Sequence, residues 1–207
     1  MKVVLITNGP APQWFPAADC IVVPDVPEPD ACPDADLFAD CDFGPDAPRV
    51  AALARLLPAP VIVNAVVPTI AGIGRPFVRL NGWPGFAGKA VHELVVPDGA
   101  TAAALTPLYG RMGMSFRLAP DVPGMITARI VASIINEAWF TWEAGVSSKE
   151  DIDTAMKLGT NYPMGPFEWG NLIGPARVLQ LLEAMSAEDE RYMPAESLKN
   201  AVEGIKI

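Results

Sequence analysis

Hydrophobic and polar positions follow two rhythms along this 207-residue chain, and the change falls near residue 120. Before it, short β-branched runs are separated by Pro and Gly: KVVLIT (2–7), CIVV (20–23), PVIVNAVV (60–67), FVRL (77–80), ELVV (93–96) and SFRL (115–118). Runs this short, bounded by turn formers, predict buried strands. APRVAALARLL (47–57) and ATAAALTPLYGRMG (100–113) predict helices between them, with a helix start or kink at Pro107. Strand and helix in alternation predict a layered α/β domain. PDVPEPDACPDAD (24–36) reads as a Pro/Asp-biased loop.

After Pro123 the rhythm is helical. GMITARIVASIINEAWFTWEAGV sets Ile126, Ile130 and Ile134, with Met125, Val131, Ile135, Ala138, Trp139 and Trp142, on a broad apolar face that needs a partner helix. Ser148 followed by Asp151 predicts the start of a helix that Gly159 stops. The segment LGTNYPMGPFEWGNLIG (158–174) then packs four glycines and two prolines between helices. Tyr162-Pro163 forces an extended step, and Gly165-Pro166 turns the chain into a helix from near Phe167. GPARVLQLLEAM (174–185) is the next helix, with Pro175 suited to its first turn. Two domains are expected, 1–120 and 121–207.

Composition narrows the function classes. A hydrophobic share of 51% and a mean hydropathy of +0.26 provide for a real core. The sequence shows neither a membrane-length apolar run nor a secretory leader pattern, so a cytoplasmic protein is expected. Cys20, Cys32 and Cys41 are odd in number, lack metal-type spacing and have one histidine to help them, so they read as reduced thiols and no metal is expected. A formal charge of −9 disfavours nucleic acid and anionic membrane as partners. Residues 1–60 hold nine Asp or Glu against Lys2, Arg49 and Arg55.

At DVPGMITARI, NEAW and SKEDIDTAMKLGTNYPMGPFEWGNLIG the chain resembles the C-terminal domain of the 3-hydroxyacyl-CoA dehydrogenases. The pattern of that family is roughly D-x-P-G-F-I-V-N-R, then N-E-A, I-D-x-A-M-x-x-G and P-M-G-P-F/L-E. The likeness is specific from Asp121 to Leu179, fainter from Pro60 to Pro120, and a vestige before that. It implies an α/β fold with a reduced Rossmann-like N-terminal domain, followed by an all-α C-terminal dimerisation domain. A homodimer through the helical domain is therefore expected. The family's cofactor is NAD.

Carried over residue by residue, the family's catalytic set is broken. PFVRLNGWPG puts Leu80 where the general-base histidine belongs, with Asn81 one place on. Glu93 falls at the glutamate that would orient that histidine, while His92 beside it points to the opposite face of the strand. VNAVVP keeps Asn64 but has Val66 in place of a hydroxyl, and GMITAR has Ala128 for an asparagine but keeps Arg129. Asn64, Asn81 and Arg129 remain as candidate cleft ligands for a small acyl or carboxylate group, with Trp83 and Phe86 nearby. After KVVLIT comes NGPAPQWFPAADC rather than G-x-G-x-x-G, and residues 1–60 contain only Gly9 and Gly44 with eleven prolines. No cofactor is therefore expected. The sequence favours a catalytically inactive dimeric binding or interaction protein. The alternative is an oxidoreductase of acyl-CoA metabolism with a rebuilt or partner-completed site.

Overall fold

The computed structural model describes residues 1–86 and 88–204, and the chain divides into two compact units, Met1–Met125 and Ile126–Ile207. The first unit carries one seven-stranded sheet: β1 Lys2–Ile6, β2 Asp19–Val23, β3 Leu37–Asp40, β4 Val61–Asn64, β5 Val78–Leu80, β6 Val91–Val95 and β7 Ser115–Leu118. Their order is β2-β1-β3-β4-β5-β6-β7. Every neighbouring pair is parallel except β5 and β6. A parallel sheet is covered on both faces, which is why its strands read as continuous apolar runs. β1 shows the alternation: Val3 and Leu5 enter one core, Val4 and Ile6 the other.

Each core has its own cover. α1 (Ala47–Ala54), capped where the Asp46 carboxylate accepts the Arg49 N–H at 2.9 Å, brings Val50 and Leu53 to one face. α3 (Gly99–Arg111), capped in the same way by Asp98, brings Leu105 and Tyr109 to the other. On that second face Trp14 and Phe15, from the irregular stretch between β1 and β2, complete the cover. Pro107 lies within α3 rather than at a start. The preceding Thr106 donates its hydroxyl to Ala102 O at 2.9 Å. β3 and the short α2 (Ile70–Ile73) were not anticipated.

Arg79, on β5, is the buried hub of this unit, with no exposed surface. It donates to Ala65 O (3.0 Å), Val66 O (3.1 Å), Val122 O (3.2 Å) and the Asp121 carboxylate (2.5 Å). Asp121 in turn accepts the Ile70 N–H at 2.9 Å. Through Arg79 the stretch 121–122 is tied to β5, and both residues lie in the first unit.

The second unit is helical: α4 Thr127–Glu143, α5 Lys149–Thr160, α6 Pro166–Ile173, α7 Pro175–Ser186 and α8 Glu196–Glu203, with a 3-10 turn at Glu190–Tyr192. Val131, Ile135 and Trp139 of α4 are buried, as are Phe167 of α6 and Leu181 and Leu182 of α7. Ser148 caps α5 as expected, accepting the Asp151 N–H at 3.1 Å. The stop differs. α5 runs through Gly159 to Thr160, and Asn161 ends it in the left-handed region at φ 57°.

The Gly/Pro segment has a structural explanation. Asp153, buried on α5, accepts the N–H groups of Phe167 (2.8 Å) and Glu168 (3.2 Å) and so caps α6 from a neighbouring helix. A Cβ on Gly165 would stand 2.3 Å from the Asp153 carboxylate, so only glycine lets the two elements meet. Glu168 reaches back to the Gly165 N–H at 2.9 Å and takes Lys157 at 2.5 Å. Asn136 serves the same kind of role, donating to Met193 O and accepting the Ala195 N–H, both at 2.9 Å.

Candidate active site

β4 and β5 lie side by side with Asn64 opposite Leu80, and Leu80 lies opposite Leu94 of β6. These strands bring together the sheet positions singled out in the sequence, but not as a polar cleft. Leu80 is 1% exposed and packs with Ile62, Val78 and Leu94 in the core. Both ends of the Asn64 amide are engaged, with Cys41 O and the Gly82 N–H, each at 3.1 Å. Asn81 is buried; its Oδ1 accepts the Trp83 N–H at 3.2 Å, while among the described residues its Nδ2 finds no partner.

Glu93 is half-buried on β6, and its charge helps keep the Arg79 guanidinium protonated. Burial acts more strongly in the opposite direction and pulls the Arg79 pKa below its ordinary value, against Asp121 and Glu93. Arg79 went unnoticed in the sequence, where a lone arginine inside the apolar run FVRL was its signal.

His92, next to Glu93, is packed and only 1% exposed. Its Nδ1 lies 3.0 Å from the Tyr109 hydroxyl, and its ring meets Phe15 edge-on at 5.4 Å. Burial pushes its pKa down to about 4, against a smaller opposing pull from the Trp14 backbone. It is neutral at pH 7 and enclosed by aromatic rings, so no substrate proton can reach it. Cys41 is equally inert: burial, then the charges of Asp40 and Asp42, push its thiol up to about 12.

Arg129 belongs to the helical unit. Its Nη1 donates to the Tyr192 hydroxyl at 3.1 Å, and the guanidinium stands 5.0 Å from the Tyr192 ring. Arg191 also donates to that hydroxyl. Hydrogen bonding by Arg191 first, then Arg129, lowers the phenol pKa. The three side chains border a groove of about 450 Å³ with Ile130, Phe140 and Leu182. Ala128 beside Arg129 is fully buried.

The sheet does not fit a dinucleotide. No helix follows β1, and the Thr7 hydroxyl (2.9 Å) and Asn8 N–H (2.8 Å) at its end already serve the Asp42 carboxylate. Among the described residues no group of three His, Cys, Asp or Glu is placed to hold a metal ion. Nor is any described helix long and apolar enough to cross a membrane.

A mostly parallel sheet followed by a helical unit is a fold this chain shares with dehydrogenases of known structure. Residues 124–206 match the family model for the 3-hydroxyacyl-CoA dehydrogenase C-terminal domain. The 3-hydroxyadipyl-CoA dehydrogenase of Escherichia coli (strain K12) is 41% identical over 129 residues, covering 61% of this chain and 27% of that protein. The 3-hydroxybutyryl-CoA dehydrogenase of Bradyrhizobium diazoefficiens is 35% identical over 111 residues, covering 53% and 38%. The match thus spans little more than a quarter of one curated relative and under two fifths of the other. Among solved structures, the (S)-3-hydroxybutyryl-CoA dehydrogenase of Ralstonia eutropha shares the fold with a TM-score of 0.73 at 23% identity, over 90% of this chain and 70% of that one. The likeness to the 3-hydroxyacyl-CoA dehydrogenases is thus carried chiefly by the C-terminal part of the chain.

Proposed function

We propose that the chain serves acyl-CoA oxidoreduction as the helical-domain part of a 3-hydroxyacyl-CoA dehydrogenase system, its general base and hydride acceptor being supplied from outside these 207 residues. One contrast carries this reading. The motif residues of the helical unit are assembled into a packed domain by Asp153, Gly165 and Asn136, whereas the base position of the sheet unit is Leu80, inside the core. A general base contributes about 10²–10⁴-fold and the nucleotide is the oxidant itself, so the sheet unit alone cannot run the reaction. That the curated relatives are dehydrogenases weighs for this reading over a purely interacting protein.

Association is part of the proposal. Ile126, Ile130 and Phe140 are 47%, 55% and 42% exposed on the helical unit, which supports a homodimer formed through it. Light scattering is expected to give about 44 kDa, twice the 22.0 kDa chain. Three free thiols suit a reducing compartment, the cytoplasm.

Thermal unfolding with acetoacetyl-CoA tests the reading. A rise in Tm that grows with acetoacetyl-CoA concentration is expected. No shift at millimolar ligand would overturn the acyl-CoA assignment and return the chain to the interaction-protein class.

A further inference from the structure

The sheet has its switch point between β1 and β3, where β1 is flanked by β2 on one side and β3 on the other. In doubly wound sheets the ligand sits beyond the carboxyl ends of the strands at that point, with phosphate against the N–H groups after the first strand. Here the chain's own groups are gathered there. Asp42 takes the Thr7 hydroxyl and the Asn8 N–H, and the Gly9 N–H donates back to the Thr7 hydroxyl at 3.0 Å.

Three consecutive residues of the β1–β2 connection are seated further along the sheet, against Gly82 after β5, Gly88, and His92 of β6. Trp14 is 5% exposed, and a Cβ on Gly82 would stand 2.6 Å from its Cζ2 and 2.5 Å from Asn64 Oδ1. The indole and the Asn64 amide therefore rest on the bare Cα of Gly82, just past the end of β5. Gly88, at φ +86°, admits Gln13 in the same way: its Cβ would lie 2.9 Å from Gln13 O. Phe15 is 1% exposed and meets His92 and Tyr109 edge-on at 5.4 and 6.3 Å.

We infer that Gln13, Trp14, Phe15 and Asp42 form a built-in occupant of the nucleotide crevice. Its own carboxylate engages the donors a pyrophosphate would need, and its own indole and phenyl cover the sheet face that the absent helix would cover. A phosphate entering there meets a like charge, and displacing the plug would expose two large aromatic rings. Gly82 and Gly88 are glycines because the plug lies on them. The sheet unit consequently takes no nicotinamide nucleotide. This inference does not rest on the acyl-CoA reading.

Thermal unfolding of the full chain tests it. NADH at about 1 mM is expected to move the wild-type Tm by less than about 1 °C. Trp14→Ala and Gly82→Ala are each expected to lower Tm by about 5 °C or more, and Trp14→Phe by less than half as much. If Trp14→Ala does not fold, Trp14→Phe and the wild-type NADH titration still decide. A wild-type rise of several degrees with NADH overturns the inference, as does a Tm within about 1 °C of wild type for both Trp14→Ala and Gly82→Ala. Loss of the acetoacetyl-CoA shift alone contradicts the proposed function and leaves the plug standing.

Discussion

The helical unit and the sheet unit use glycine in two different ways. In the helical unit, Gly165 lets the Asp153 carboxylate cap α6, so the residues carrying the family resemblance are also the ones that hold the domain together. In the sheet unit, Gly82 and Gly88 make room for Trp14 and Gln13, and the carboxylate of Asp42 closes on the loop after β1. One unit has kept its framework; the other has filled its crevice with its own side chains. Resemblance in a motif therefore reports packing in the first unit and says nothing about catalysis in the second.

The largest effect that would sharpen this contrast is expected at Arg79. Removing a fully buried guanidinium takes a charged donor from three carbonyls and from Asp121, so Arg79→Ala should cost about 3–5 kcal/mol in urea unfolding. A loss below about 1 kcal/mol would mean that the sheet unit does not depend on this hub.

Acid should act on the sheet unit through His92. Its folded pKa of about 4 lies below its ordinary 6.5, so the unfolded chain binds the proton first. Stability is then complete above about pH 6.5 and is lost as pH falls toward 4, by up to about 3 kcal/mol. His92→Phe should remove that part of the acid sensitivity, and an unchanged pH profile in the variant would exclude His92 as its source.

The helical counterpart is Gly165→Ala, where the new methyl must displace Asp153 from its cap. About 2–3 kcal/mol is expected by urea unfolding. A neutral result would break the claim that the motif is a packing device. The smallest effect is chemical: exposed Cys20 should react with a thiol reagent well before buried Cys41, followed by mass spectrometry of the labelled peptides.

Much of this architecture was legible because its signals are local. The apolar runs at 2–7, 60–67 and 115–118 contain β1, β4 and β7, and Ser148 and Pro175 stand at the helix starts they announced. β3 was missed because Leu37–Asp40 follows a Pro/Asp-rich stretch and offers only three apolar residues. The stop of α5 went to Asn161 rather than Gly159, since the left-handed cap, not the first glycine, ends the helix. That Leu80 carries no group able to take a proton could be read from residue type alone. The burial of Arg79, the cap from Asp153 and the seat of Trp14 on Gly82 could not, because each joins residues distant in sequence.

The central claim is that the sheet unit has lost the means of dehydrogenation while the helical unit has kept its framework. The most direct measurement follows NADH formation from 3-hydroxybutyryl-CoA and NAD by the purified chain and by the triple variant Leu80→His, Val66→Ser, Ala128→Asn. The variant restores the family's polar residue types at those three positions, but with Asp42 and Trp14 in place the hydride still has no acceptor. Both proteins should stay within about tenfold of the uncatalysed background. A gain of about a thousandfold in either would show that a working nucleotide site survives and would contradict the account.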